Sequence, residues 1–587
     1  FTVQAARTFA YGKGSTTMLL EDVHVVIYGR TGSHHDEMTT DRCQYDSSTG
    51  ALACAGKASI TLESEAGMPV KRSLRERQPL FLETSDVSFD PTRATVTTPN
   101  AVRFNFGPAS GQALGLIYNT RADSLTLKQN IKLRLPESAG VINASAGQLI
   151  YSKQNSQISL GAPIRVAQDG KQISASAGEV LLDAANRISR VTLSAVEGFD
   201  PLPAHDLTVS GDNLEADFNP KTSEVRTLLA NGHVLIESKE KSGGGEGIRR
   251  LKAEKVRLDL AGAKSQPQSG MAQGNVELLF QPPASRVVAA RSSDKSRTAL
   301  VGPTAGKRIL TAQELQFSFE PGDLLKEAHT NGPGRLQLIP TGAGDRQTVT
   351  AGMFTMAFDA AGRLTTLHGM SPVRIVDQPP PDGPRGSLPM VSTSNELLAK
   401  VNPATGALDA LDQMGNVNFE QGASHGRAAK AHFNAGKQTL ALSGRPGIWD
   451  ANGRILADNI RVNLIDAVAE GQGNVQSIHF NLPGSAAETA GASADASPII
   501  VLADRVTAYR KRQYAHYEGN VRASRGADVV QSSSLDVYRE QQRLSTGKGV
   551  ITSLVEPALS DSAEGGGPGK PKSTGGAVEP VTITADR

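Results

Sequence analysis

The sequence predicts an all-β chain of antiparallel hairpins, and three observations carry that expectation. Apolar and polar residues alternate with period two over about five to eight residues at a time. The runs are punctuated by Gly, Asn, Asp, Pro and Ser, and a two-part motif recurs along the chain. Almost nothing shows the i, i+3, i+4 spacing of an amphipathic helix, and even the Ala-rich piece 428–433 fits alternation better.

In chain order, Val23, Val25 and Ile27 form the apolar phase of a first half-buried strand. Cys43 and Cys54 flank a hairpin with its turn near Ser48 and Thr49, which sets the two thiols opposite each other. A cross-strand disulfide is then geometrically possible and would suggest an oxidising compartment; two buried free thiols are the other reading. Val102, Phe104 and Phe106 mark the next strand, then Leu125 and Leu127, then Ile131 and Leu133, with residues 336–339 alternating in the same way.

The recurrent motif is a small residue followed at +3 and +5, often +7, by apolar residues. Ala253 leads Val256, Leu258 and Leu260; Ala312 leads Leu315, Phe317 and Phe319; Ala351 leads Phe354, Met356 and Phe358. The phase returns at Ala457 and Ala503, the latter with Val506, and weaker copies start at Ala6, Thr40, Thr84, Ala122, Gly211, Ser394, Ala428 and Ser532, with a last one at Ala585. A second signature, Gly-Asn-Val or Gly-His-Val, follows after a turn at Gly232, Gly274, Gly415, Gly473 and Gly519, the last ending in Val521. Each unit reads as strand, turn, strand. One hairpin has a single apolar face and is marginal alone, so stacking hairpins edge to edge extends the ladder and the buried face together. The Gly supplies a positive φ or a bulge where the strand bends, and the small residue fits a crowded corner. Residues 242–245, 281–307, 378–381, 483–498 and 556–580, rich in Gly, Pro, Ser or Ala, read as insertions between units.

The chain has 587 residues with 61 basic against 59 acidic, a formal charge of +2 that is too weak and too scattered to hold nucleic acid by counterion release. No run approaches the ~18 apolar residues of a membrane span, and two cysteines are too few for a disulfide scaffold. Phe1 and Arg587 both read as cut ends, which leaves an upstream anchor open.

Catalytic candidates are thin. His34-His35-Asp36 could offer metal ligands, but adjacent His on a strand point to opposite faces and Gly32-Ser33 precedes them, so the triplet reads as a surface loop. Residues 302–307 are one residue short of a phosphate loop and run into Arg308 rather than Ser or Thr, so they read as a plain loop. No metal, cofactor or catalytic residue is expected. The long supply of one apolar face is the functional lead: Val23, Val25, Ile27, Val102, Phe104, Phe106, Leu125, Leu127, Ile131, Leu133, Leu315, Phe317, Val506 and Val521 are candidate linings of a trough that a lipid chain completes. A closed interior is the competing reading. Lys132 and Arg134, on the phase opposite Leu133, read as a solvated outer face.

Residues 1–5 (FTVQA), 20–29 (LEDVHVVIYG), the Thr40-Asp41-Arg42 element, residues 84–87 (TSDV) and 115–118 (GLIY) resemble the periplasmic domain of the LptC family of lipopolysaccharide-export proteins. Residues 500–506 (IVLADRV), 517–521 (YEGNV) and 535–538 (LDVY) resemble the LptA/OstA family, and residues 581–587 (VTITADR) start another copy. The resemblance implies antiparallel β-jellyroll (β-taco) units stacked edge to edge, an apolar trough for the acyl chains of lipid A, and no catalytic residues. It implies an LptC-like domain over residues 1–200, degenerate hairpin repeats over 201–498 and an LptA/OstA-like domain over 499–587. It also implies a periplasmic location with a membrane-anchoring helix upstream of this chain, an inner-membrane ABC exporter as lipid donor, and edge-strand pairing with LptA-like or LptD-like domains. A structural, adhesin-like β array with a closed core and a periplasmic carrier of another lipid are the alternatives.

Overall fold

The alternation is realised as strand almost throughout. A computed structural model describes residues 1–12, 14–28, 34–65, 79–107, 109–137, 140–185, 187–202, 205–219, 221–222, 224–240, 247–262, 265–281, 306–321, 324–340, 344–380, 388–403, 406–480, 498–538, 543–547, 550–554 and 581–585. Among these the chain is all-β, with a single 3-10 turn at Arg510–Arg512 and no α-helix. The chain divides into two compact units, one of Phe1–Ala284 with Thr311–Lys326, the other of Ser285–Leu310 with Glu327–Arg587.

The first unit opens with β1 (Thr2–Ala10), β2 (Thr17–Tyr28), β3 (His34–Asp46), β4 (Leu52–Glu65), β5 (Leu80–Ser85), β6 (Ser88–Asp90), β7 (Thr95–Phe106), β8 (Ala109–Asn119) and β9 (Ser124–Glu137). Strands pair antiparallel with near neighbours in sequence, β1 with β2, β2 with β3, β7 with β8, β8 with β9. The same meander continues to Gln266–Gln281. The second unit repeats it from Gly334–Pro340 to Val581–Ala585. Cys43 lies directly opposite Cys54 across β3 and β4, and the two form a disulfide. The insertions at 242–245, most of 281–307, and 556–580 lie outside the described residues, as do most of 483–498 and residues 302–305.

The two halves of the recurrent motif meet at one corner. Both sit in mid-strand, on adjacent strands, where the ladder skips: Leu502 pairs with Arg522, and the next matched pair is Arg505 with Glu518. In the gap, Gly519 and Asn520 both take left-handed backbone, φ 78° and 46°. The Asn520 amide donates to Asp504 Oδ2 at 2.9 Å, and a Cβ on Gly519 would fall on that same carboxylate. The arrangement recurs with Asn474 donating to Asp458 at 2.8 Å and with His233 against Asp212 at 2.9 Å. Gly274 and Gly415 leave the same room for Glu254 and Asn395. The Val that follows turns inward and meets the small residue of the neighbouring strand, as in Val234–Ala253, Val417–Ala428, Val475–Ala503 and Val521–Ser532. A branched side chain opposite a small one keeps the bend filled without crowding. At two corners the glycine instead faces an X–Pro bond, Gly147 against Ala162–Pro163 and Gly352 against Ser371–Pro372, both cis.

Each bend divides its strand into two segments that lie over a shared interior, called wall A and wall B below. Around the first unit's interior, Val25, Met38, Ile60 and Leu62 come from wall A, and Phe89, Val96 and Tyr118 from wall B. Corner residues such as Val102, Val234, Val276, Val417 and Val475 are among the most deeply buried, at 0–1% exposure.

The corner makes a prediction. Gly519→Ala combines a positive φ with a clash against Asp504, so it should destabilise the second unit by about 2–3 kcal/mol. In an Asp504→Ala background the clash is gone, and the cost should drop to about 1 kcal/mol, the conformational part alone. Urea unfolding followed by the fluorescence of Trp449, the chain's one tryptophan, reads this unit directly. Equal costs in the two backgrounds would show that the glycine answers to backbone conformation only.

Candidate functional site

Inward positions on wall A line up strand by strand. Leu133 pairs across to Ala144, then in sequence to Val166, Ile173, Gly198, Val209, Ile236, Leu251 and Leu278. Wall B carries the matching row Leu125, Tyr151, Ile158, Val180, Val191, Ala216, Leu228 and Leu258. At about 4.8 Å per strand the wall A row is roughly 40 Å long. Antiparallel register makes this continuity, because the same alternation phase is kept on both sides of each corner while the bulge absorbs the bend.

Burial along the rows divides the unit. From β2 to β9 the interior is sealed: Val23, Val25, Val102, Phe104, Leu125, Leu127 and Ile131 are buried, with Ile27, Phe106 and Leu133 half-buried. The cavity there is about 10 Å³, room for no more than one water. Beyond β9 the corner positions remain buried, as at Val234 and Val256, but the wall residues Ile158, Val166, Ile173, Val180, Val191, Val209, Ile236, Leu251, Leu258 and Leu278 are all only half-buried, as Ile27, Phe106 and Leu133 are. Leu315 is buried and Phe317 half-buried, its ring covering the bare backbone of Gly270; Phe104 covers Gly111 in the same manner. In the second unit Val506 and Val521 are buried at the corner Gly519 makes.

The sealed stretch is pinned by a polar clasp. Asp36, near the outer end of wall A, accepts from Lys153 Nζ at 2.8 Å and from the Tyr118 hydroxyl, both on wall B. Lys153 also donates to the Tyr118 oxygen at 3.1 Å and lies 5.2 Å from its ring centroid. Reading His34-His35-Asp36 as a surface loop therefore needs correction. Residues 34–36 open β3, and because strand side chains alternate, Asp36 is carried inward and buried. His35 pairs with Glu37.

The second unit has polar crossings of its own. Ser392 Oγ donates to Gln413 Oε1 at 2.7 Å, both buried, and His479 Nε2 meets the Tyr517 hydroxyl at 2.8 Å. Burial drives the Tyr517 hydroxyl well above its ordinary range. Asp377 follows Val373 and Ile375 on the inner phase and is buried, with neither carboxylate oxygen hydrogen-bonded among the described residues. Burial, and then the nearby Asp345, push its pKa up to about 7, against a smaller downward pull from the Gln347 amide. The sequence reading picked out none of Tyr118, Lys153, Asp377, Ser392, Gln413, His479 or Tyr517 as site residues. Their only signal is a polar residue or tyrosine on an inward phase.

Among the described residues no group of three or more His, Cys, Asp or Glu side chains is placed to hold a metal ion. No protein-family model matches the chain, and no curated protein matches it.

Proposed function

We propose that this chain is a non-enzymatic carrier of lipopolysaccharide, built of β-taco units, which shelters the acyl chains of lipid A in the first unit's trough and leaves the saccharide in water. The observation that carries the reading is the pair of half-buried apolar rows beyond β9. Each methylene removed from water contributes about 0.8 kcal/mol, so a chain of ~14 carbons gains of order 10 kcal/mol, enough to hold it without any reaction. The ordered pairing of Ala503-Asp504-Arg505 with Glu518-Gly519-Asn520-Val521 supports the choice of lipopolysaccharide. Passive sites give no direction, so an inner-membrane ABC exporter would load the trough, and LptA-like or LptD-like domains joined at edge strands would receive the lipid across the periplasm.

An inward charge tests the reading. Ile236→Asp should weaken binding of a fluorescent long-chain fatty acid, and photo-crosslinking to lipopolysaccharide from neighbouring inward positions, by about tenfold or more. Thr208→Asp, exposed on the outward phase between Leu207 and Val209, should leave both unchanged. Labelling from the outward phase alone would defeat the trough. Uptake of fatty acid without lipopolysaccharide would turn the assignment to a carrier of another lipid. The sealed interior of β2 to β9 favours a second reading, a structural β array with a closed core, and absence of any alkyl probe from both rows would favour it over the carrier.

A further inference from the structure

The outer face of wall A carries a depression of about 610 Å³ over β7 to β9 and the strands Gly140–Ala146 and Gln157–Gln168, with Glu83 of β5 at its edge. Four exposed cations line it: Arg103, Lys132, Arg134 and Arg165. The register spaces them regularly. Arg103 lies opposite Gln112, Gln112 opposite Lys132, Lys132 opposite Ser145, and Ser145 opposite Arg165. A cation thus stands on every second strand, about 10 Å from the next, with a neutral polar side chain between. Arg134 stands in the adjacent row between Ser110 and Asn143.

Several cross-strand cations elsewhere in the first unit are answered by acids. Arg190 binds Asp217 at 2.7 Å and Glu215 at 3.2 Å, Arg250 binds Glu237 at 2.5 Å, and Lys171 binds Asp200 at 3.1 Å. None of the four cations in the depression has such a partner among the described residues; the one carboxylate in its lining, Glu83, stands opposite Arg103 without pairing with it. Four like charges gathered in one concavity repel, and that repulsion is relieved by an anion that spans them. Guanidinium forks match the tetrahedral oxygens of phosphate, and the intervening Ser, Gln and Asn side chains supply neutral hydrogen bonds. Carboxylate ligands carry one charge per group and would compensate the cluster less well.

We propose that this depression is a binding site for an anion bearing two or more phosphate groups. The site stands on the outer face and does not depend on the trough. Sulfate-free protein is titrated calorimetrically with inorganic tripolyphosphate and, in parallel, with phosphatidylcholine vesicles containing phosphatidic acid. Tripolyphosphate should bind at low salt and weaken about tenfold towards physiological salt. The variant Arg103→Gln/Lys132→Gln/Arg134→Gln/Arg165→Gln should lose at least tenfold in affinity while keeping the parent's melting profile and its uptake of the alkyl probe. The variant Arg190→Gln/Arg505→Gln, which removes cations that already have acids, should bind as the parent does. Binding to vesicles but not to tripolyphosphate, abolished in the fourfold variant, assigns the phosphate to a lipid headgroup; the reverse assigns it to a soluble ligand. No binding in either arm, or equal losses in the two variants, overturns the site.

Discussion

Lys153→Ala should cost the first unit about 3–5 kcal/mol, because it strands the buried Asp36 carboxylate opposite Tyr118 without its cation. Both charged side chains are nearly enclosed, 11% and 10% exposed, so water offers little replacement. The loss should appear as an earlier urea transition by circular dichroism and as faster amide exchange in β3 and β8. Asp36→Asn combined with Lys153→Met removes both charges and keeps the volume, and it should recover much of the loss. The clasp joins the two walls, so the single variant should also admit an apolar dye to the β2–β9 interior that excludes it in the parent. A change below about 1 kcal/mol would reduce the clasp to an ordinary surface pair.

A second large effect is expected at Asp377, and its sign follows from linkage. The folded chain raises this carboxyl from 3.8 to about 7, so the native state keeps its proton through a range where the unfolded state has released it. Stability of the second unit should then fall as pH rises from about 4 to about 7 and level off above that. The full span is roughly 2–4 kcal/mol. Asp377→Asn mimics the protonated form and should flatten the slope, leaving the variant more stable than the parent at pH 8 and close to it at pH 4. Urea midpoints by Trp449 fluorescence at the two pH values give the comparison as a difference between variants, which cancels the other titrating groups. Parallel pH profiles for parent and variant would sink the assignment.

Most of the fold was legible because its signals are local. The small residue at Ala503 and the Gly519-Asn520-Val521 signature stand out in sequence, and the structure shows them to be opposing halves of one bend. The inward phase of Val25, Phe104 and Leu133 follows from alternation alone. The degree of sealing does not: Phe104 and Val209 share the same pattern, yet one is buried and the other only half-buried, since burial depends on contacts from strands distant in sequence. The clasp was illegible for a related reason. Asp36 and Tyr118 are 82 residues apart and Asp36 and Lys153 are 117 apart, so no period links them. Residues 34–36 read as a loop because Gly32-Ser33 precedes them, whereas they open β3 and alternation carries Asp36 inward.

Near-neighbour pairing has a consequence for how such a chain is made and altered. Each new hairpin needs only the edge left by the one before it, so the polypeptide can zip up from its first strands as they leave the ribosome, with short loops to close at most steps. Nothing in the ladder counts strands. A gene that gains or loses one hairpin together with its Asp–Gly-Asn bend would yield a longer or shorter ribbon with the same cross-section, which makes length the property of this architecture most readily changed by duplication.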